Sequence, residues 1–282
     1  MSDNPCTACN TGNAACGSTC GAQEQAGPAA VKKKPEILEQ SEFNDIKHVL
    51  AVLSGKGGVG KSSVTALMAV GLARQGYKVG ILDADITGPS IPKMFGLKDR
   101  PDAFDSHILP VKTSLGIAVM SLNLLLPRED DPVIWRGPIL AGVVKQFWTD
   151  VVWGKLDYLI VDLPPGTGDV PLTVMQSLPL DGLVVVTSPQ DLSLMVVKKA
   201  IKMAEHMGIP ILGMVENMSY LKCPKCGEEI YLFGVSKAED VACQAGVRLI
   251  EVLPVDPELA ELSDRGRIEE YETEAFRRQP LV

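Results

Sequence analysis

The 282-residue sequence has no surplus of positive charge: 27 Lys and Arg stand against 35 Asp and Glu, a formal net charge of −8 at pH 7. An acidic chain gives no support for non-specific binding to a nucleic-acid backbone. It also has no apolar run of membrane-spanning length. It does not open with the basic, apolar and small-residue order of a secretion signal. The expected setting is the cytoplasm, where thiols stay reduced and clustered cysteines point to metal or redox chemistry. Histidine is scarce, and His48, His107 and His206 have no ligand-like spacing; they are expected to be ordinary polar or packed residues. Large apolar side chains are almost missing from residues 1–30, which are rich in Gly, Ala, Asn, Thr and Cys. Such a segment cannot build a hydrophobic core and is either a tail or ordered by a metal.

What is present divides at residue 35. Residues 1–35 form a cysteine-rich, core-less segment and a linker through Lys32-Lys33-Lys34-Pro35. Residues 36–282 are long enough for one large α/β domain. Strand patterns fall at Val49–Leu53, Lys78–Asp83, Asp157–Asp162, Leu183–Thr187, Pro210–Glu216 and Val247–Leu253, with a β hairpin expected within Ile108–Leu126. Helical patterns fall at Lys61–Gln75, Arg136–Val152, from about Val170, and at Leu192–Met207. Near-continuous apolar strands alternating with helices predict a mostly parallel sheet covered by helices on both faces.

The strand ending at Leu53 runs into Gly55-Lys56-Gly57-Gly58-Val59-Gly60-Lys61-Ser62, followed by Ser63 and a helix. This is a Walker A match in its strand–loop–helix setting. The glycines let backbone N–H groups approach a triphosphate, Lys61 reaches the β/γ-phosphates, and the Ser62 hydroxyl ligates Mg²⁺. ATP and Mg²⁺ are the expected ligands. Asp83 and Asp85 stand at the end of a buried strand, where open α/β sheets bind ligands. One can support Mg²⁺ through water and the other can orient the attacking water. Asp162 closes a second apolar strand in the Walker B manner, and Gly166 in the Pro/Gly loop behind it can offer an N–H to the γ-phosphate. Asn217, at another strand end, suits an adenine edge or equally a turn. Lys56 is a second lysine on the loop. Placed on its outer side, it can reach a nucleotide held by a neighbouring copy, which predicts an ATP-tightened two-fold dimer. Lys56, Lys61 and Asp85 are the expected catalytic residues for in-line attack of water on the γ-phosphate.

Cys223-Pro224-Lys225-Cys226-Gly227 has the spacing of a metal knuckle. A tetrahedral thiolate site takes four ligands and the knuckle supplies two. The rest can come from a second copy on a two-fold axis, from the N-terminal cysteines, or from Cys243 with a further ligand; the predicted dimer favours the first. Four thiolates at such an interface suit a [4Fe–4S] cluster, with zinc as the alternative. Cys6, Cys9, Cys16 and Cys20 form a further set of four, sufficient for a cluster or a zinc ion. Cys243 by itself is expected to be a packed helix thiol.

Taken together, Lys56 to Ser62, Asp83-Ala84-Asp85-Ile86-Thr87-Gly88-Pro89-Ser90, Trp135-Arg136-Gly137-Pro138, Asp162 to Asp169, Val215-Glu216-Asn217-Met218-Ser219 and Cys223-Pro224-Lys225-Cys226 resemble the Mrp/NBP35 (ApbC) iron–sulfur cluster carriers. These are SIMIBI-class ATPases alongside MinD, ParA and the nitrogenase iron protein. The resemblance covers roughly residues 45–265. It implies a P-loop fold with Lys56 as signature lysine. It further implies a homodimer bridging a labile [4Fe–4S] cluster through Cys223 and Cys226 of both chains. Slow ATP hydrolysis would govern cluster transfer to apo iron–sulfur proteins. The NBP35 branch has an N-terminal four-cysteine cluster with a long first gap; here the order is Cys6-x₂-Cys9-x₆-Cys16-x₃-Cys20. Spatial organisers of the MinD/ParA type and electron donors like the nitrogenase iron protein are the alternatives. The acidic, poorly apolar tail Glu269 to Phe276 and the knuckle spacing argue against both.

Overall fold

The computed structural model describes residues 37–277 apart from 86, 87, 89, 106, 127–136 and 190–192. Cys6, Cys9, Cys16, Cys20, the Lys32–Lys34 triplet, Ile86, Thr87, Pro89, Trp135 and Arg136 lie outside the described residues.

The elements in chain order are β1 (Asp45–Ser54), α1 (Lys61–Arg74), β2 (Val79–Asp83), α2 (Ile91–Met94), β3 (Ala103–Phe104), β4 (His107–Ile108), β5 (Val111–Lys112), β6 (Ala118–Ser121), α3 (Gly137–Thr149), β7 (Lys155–Asp162), α4 (Asp169–Ser177), β8 (Gly182–Thr187), α5 (Ser193–Met207), β9 (Ile211–Glu216), β10 (Leu221–Lys222), β11 (Glu229–Ile230), α6 (Ala238–Ala245), β12 (Leu249–Val252) and α7 (Pro257–Asp264). Eight strands form one sheet in the order β12-β9-β8-β1-β7-β2-β6-β5. All its pairings are parallel except β5 on β6, which is the expected hairpin.

Along β1 the apolar residues divide by parity. Val49, Ala51 and Leu53 join the core that contains Phe147, Trp148, Val174, Val197 and Ala242, from α3 to α6. Leu50 and Val52 join the core that contains Val64 to Leu72 of α1 together with Tyr271 and Phe276. A strand buried on both faces has no reason to alternate apolar with polar, so its sequence reads as a continuous run. Helix α1 is apolar almost all round because it too is covered twice. Its inner side meets the sheet. On the outer side Arg74 donates to Tyr271 O (2.9 Å) and Glu269 O (2.7 Å), and Gln75 Nε2 to Phe276 O (2.9 Å).

Strands β2 and β7 stop together, and β1 runs two residues further, to Ser54. Val52 of β1 is level with Asp162 of β7, which is level with Asp83 of β2. The fold thereby sets a glycine loop and two carboxylates on one edge of the sheet. Among the described residues, no helix is long and apolar enough to cross a membrane.

Trp148 is fully buried and its Nε1 donates to Leu38 O at 3.2 Å. Trp148→Ala should cost about 3–5 kcal/mol of folding stability. Chemical denaturation measures this, and a loss well under ~1 kcal/mol would show that the α3 face does not anchor the domain.

Candidate functional site

After Ser54 the chain turns through Gly55 to Gly60 into α1, with Gly58 and Gly60 at φ 82° and 76°. A Cβ on Gly60 would lie 2.1 Å from Asn217 Nδ2. Left-handed backbone and close approach both require glycine there. The loop and the start of α1 line a cavity of about 230 Å³ whose walls include Gly57, Lys61, Ser62, Ser63, Asp85 and Pro165. Backbone N–H groups of a helix's first turn have no intrahelical acceptors, so this opening favours an anion.

Charge is concentrated beneath it. Lys61 Nζ is 2.8 Å from Asp162 Oδ1 and 3.5 Å from Asp85 Oδ2, and both Lys61 and Asp162 are buried. Asp162 also accepts from Ser62 Oγ (2.5 Å) and Thr65 Oγ1 (2.8 Å). Asp83 accepts from Ser121 Oγ at 3.0 Å and from the Asp85 N–H at 3.1 Å. Burial, followed by the neighbouring charge of Asp162, pushes the Asp83 carboxyl up to about 8, although Lys61 and Ser121 pull the other way. Three carboxylates therefore share one ammonium in a poorly solvated place. The donors are hard oxygens from Asp and Ser, the set that suits Mg²⁺. A divalent cation held by Ser62 and Asp162, with Asp83 behind, would relieve the repulsion.

Asp83, Asp85, Asp162, Lys61, Ser62 and Ser63 thus come together as expected. Val59 is buried, while Lys56 is on the exposed side of the loop. Two expectations differ from the structure. The Gly166 N–H donates to Ser54 O at 2.7 Å, so in this arrangement it is committed to the strand end and not available to a phosphate. Asn217 is buried with Nδ2 donating to Val59 O at 3.0 Å; it braces the glycine loop, and that donor does not face an adenine edge. Thr65 and Ser121 were not foreseen. Thr65 is four residues beyond Lys61, one helical turn on, and that spacing was the available signal. Nothing in the sequence around Ser121 marks it as the partner of Asp83.

The second thiol group is built separately. Strands β10 and β11 pair antiparallel as Leu221↔Ile230 and Lys222↔Glu229. Between them the Gly227 N–H donates to Cys223 O (2.9 Å) and the Cys223 N–H to Glu228 O (2.8 Å), with Gly227 at φ 76°. Cys223 is half-buried and Cys226 exposed. Hydrogen bonds from the backbone N–H groups of Cys226 and Lys225 hold the Cys223 thiol below its ordinary pKa, favouring the thiolate that binds metal. Among the described residues no three Cys, His, Asp or Glu side chains group to hold a metal ion. Cys243 is not grouped with Cys223 and Cys226 within the single chain. Cys243 does lie on a helix, α6, but is exposed and not packed as expected. The histidines are ordinary: His48 stacks on Tyr158 with ring centroids 5.2 Å apart, and His107 meets the Phe43 ring edge-on at 5.0 Å.

A glycine loop after the central strand of a parallel sheet, its lysine against an aspartate on the neighbouring strand, defines a P-loop NTPase. Residues 45–279 match the ParA family model described as NUBPL iron-transfer P-loop NTPase, and the chain belongs to that family. An iron–sulfur cluster carrier protein of Clostridium perfringens is 50% identical over 242 residues, 83% of this chain and 85% of the relative. A nucleotide-binding protein of Archaeoglobus fulgidus, solved in complex with ADP, superposes with a TM-score of 0.76 at 51% identity. That match covers 83% of this chain and 93% of the other. The cell division ATPase MinD of Pyrococcus furiosus, at 24% identity and a TM-score of 0.54 over 81% of this chain and 93% of its own, shares the fold.

Lys61→Ala should weaken ATP binding by at least ~10-fold, because a buried charge-assisted contact to phosphate disappears; titration with a fluorescent ATP analogue that gave an unchanged affinity would refute the cradle. Asp83→Asn should raise the melting temperature of the nucleotide-free protein. A carboxyl whose pKa is higher folded than unfolded costs stability increasingly as pH rises from about 4 to about 8. The gain should therefore be small near pH 4 and largest near pH 8. A gain that shrinks with rising pH would contradict the assignment.

Proposed function

We propose that this protein is an ATP-dependent iron–sulfur cluster scaffold and carrier. The observation that carries the reading is the Cys223–Cys226 knuckle: two cysteines on a short ribbon, one half-buried and one exposed, with a thiolate-favouring backbone and no third ligand grouped with them among the described residues. Resident structural metal sites are closed by four ligands. Half a site at the surface suits cargo that is shared and handed on. A second copy of the chain would complete four thiolates around one [4Fe–4S] cluster. The residues next to the knuckle support such a contact. Ile230, Tyr231, Leu232, Phe233 and Val235 are all exposed, and a cluster of large apolar side chains left open along one short stretch suits an interface.

The nucleotide site supplies the timing. ATP lies in the glycine loop from Gly55 to Gly60 with its phosphates on Lys61 and the first turn of α1, Ser62 and Ser63 included. When bound, Mg²⁺ neutralises charge on the β/γ-phosphates; Ser62 and Asp162 would hold it. Asp85, beside Lys61, orients the attacking water, and Lys56 reaches across to the neighbouring copy's nucleotide. Asn217 stands behind the loop, and Gly166 sits where a switch would register the γ-phosphate once its bond to Ser54 is released. In this reading the carrier works in the cytoplasm as a homodimer, delivers to apo iron–sulfur proteins, and binds neither membrane nor nucleic acid. Among the described residues, Tyr271, Ala275 and Phe276 are buried in the core around α1. Within residues 1–35, Cys6, Cys9, Cys16 and Cys20 supply four thiols, enough for a further cluster or a zinc ion.

The test is anaerobic reconstitution followed by iron and sulfide analysis. Cys223→Ala should lose the bridging cluster, about four irons and four sulfides per two chains, while its melting temperature stays at the parent value. Iron content that does not fall in this variant would reject the assignment.

A further inference from the structure

Between β9 and α6 the chain leaves the sheet for the β10–β11 ribbon and comes back, and both ends of this excursion meet at one buried side chain. Glu216, the last residue of β9, is 4% exposed. Its Oε1 accepts from Ser219 Oγ on the outward path and from Ser236 Oγ on the return, each at 2.5 Å. Ser236 Oγ in turn accepts from the Ala238 N–H at 3.2 Å, at the start of α6. The outward strand is pinned further by the Ser219 N–H to Leu253 O (2.9 Å) and the Val255 N–H to Tyr220 O (2.6 Å). Cys223 follows three residues after Tyr220.

The residue after Glu216 is Asn217, which holds the nucleotide loop through Val59 O and lies against Gly60. Met218, between Asn217 and Ser219, has φ 59° without being glycine. Such a residue persists in left-handed backbone only where its surroundings fix it. Three consecutive residues therefore join the glycine loop to the base of the cysteine ribbon with no slack between them. A carboxylate buried away from water is costly unless its hydrogen bonds are satisfied. Here one oxygen receives two hydroxyls, one from each limb of the excursion, and so ties the two limbs together at their base.

We propose that Glu216 is a positioning residue: by clamping Ser219 and Ser236 it ties the Cys223–Cys226 ribbon to the segment that braces the nucleotide loop, so that the state of the loop is transmitted to the two thiols. The proposal deepens the carrier reading and rests on it for its purpose, but its test does not require a cluster. In the full chain with Cys6, Cys9, Cys16, Cys20 and Cys243 replaced by serine, the reaction of Cys223 and Cys226 with 5,5′-dithiobis(2-nitrobenzoate) is followed with and without saturating Mg-ATP. The parent should show a nucleotide-dependent change in rate of about fivefold or more, the low end of ordinary coupling between sites. Glu216→Gln should keep it, since the amide oxygen still accepts both hydroxyls. Glu216→Ala should lose it, and so should Ser236→Ala, a milder change at a half-buried position that covers the case in which Glu216→Ala does not fold. Rescue by glutamine separates a hydrogen-bond clamp from mere packing. A parent without nucleotide dependence, or alanine variants that retain it in full, would overturn the proposal. Iron loading of the parent judges the carrier reading separately, so the two can fail independently.

Discussion

The contact between Lys61 and Asp162 governs the rest of the molecule. It joins the first residue of α1 to the last residue of β7 across the top of β1, and every other polar group of the nucleotide site is arranged around it. Two carboxylates, Asp162 and Asp85, contact this one ammonium, and burial beside them makes the Asp83 carboxyl hold its proton well above the usual range. Such an arrangement costs folding free energy in the empty protein. Proteins tolerate a cost of this kind at functional sites, where local strain is offset elsewhere. The offset here is the doubly covered sheet, whose central strands are buried on both faces.

The two chemical centres are built on opposite principles. The phosphate cradle is rigid: its glycines have conformations only glycine adopts easily, its carboxylates have fixed hydrogen-bond partners, and a buried asparagine supports it from behind. The cysteine knuckle is a two-residue-per-strand ribbon at the surface, with half of a tetrahedral ligand set and a row of exposed apolar side chains next to it. A nucleotide must be bound tightly enough to be hydrolysed. A cargo cluster must be held incompletely enough to leave. In the proposed reading, the difference in burial between Asp162 and Cys226 matches that difference in task.

Much of this was legible in the sequence because it depends on short-range patterns. Continuous apolar runs gave the parallel strands, and the loop from Gly55 to Ser62 gave the cradle. Strands β1 and β7 begin earlier than their apolar centres, at Asp45 and Lys155, because polar residues at a sheet's rim still pair. The shortest elements are less legible: α7 and the β10–β11 ribbon are too brief for periodicity to emerge, and of α6 the sequence marks only the helical setting of Cys243. Roles that depend on distant partners were harder still. Asn217 looked like a base-reading amide because its strand-end position says nothing of Val59, and the N–H of Gly166 looked available because Ser54 is far away in sequence. Glu216 falls within a motif that the sequence marks, but nothing there reveals its role as a clamp, since its two serines lie on separate limbs of an excursion whose shape only the fold defines. Cys243 has helical surroundings, but which side of α6 faces water is decided by packing against the sheet.

Sharing of one cluster between two copies is the claim on which the functional account stands. Native mass spectrometry of the anaerobically reconstituted chain, with Cys6, Cys9, Cys16 and Cys20 replaced by serine, measures it directly. The account predicts a species of two chains carrying a single [4Fe–4S] cluster, with single chains free of iron. Single chains that each carry a full cluster would contradict it.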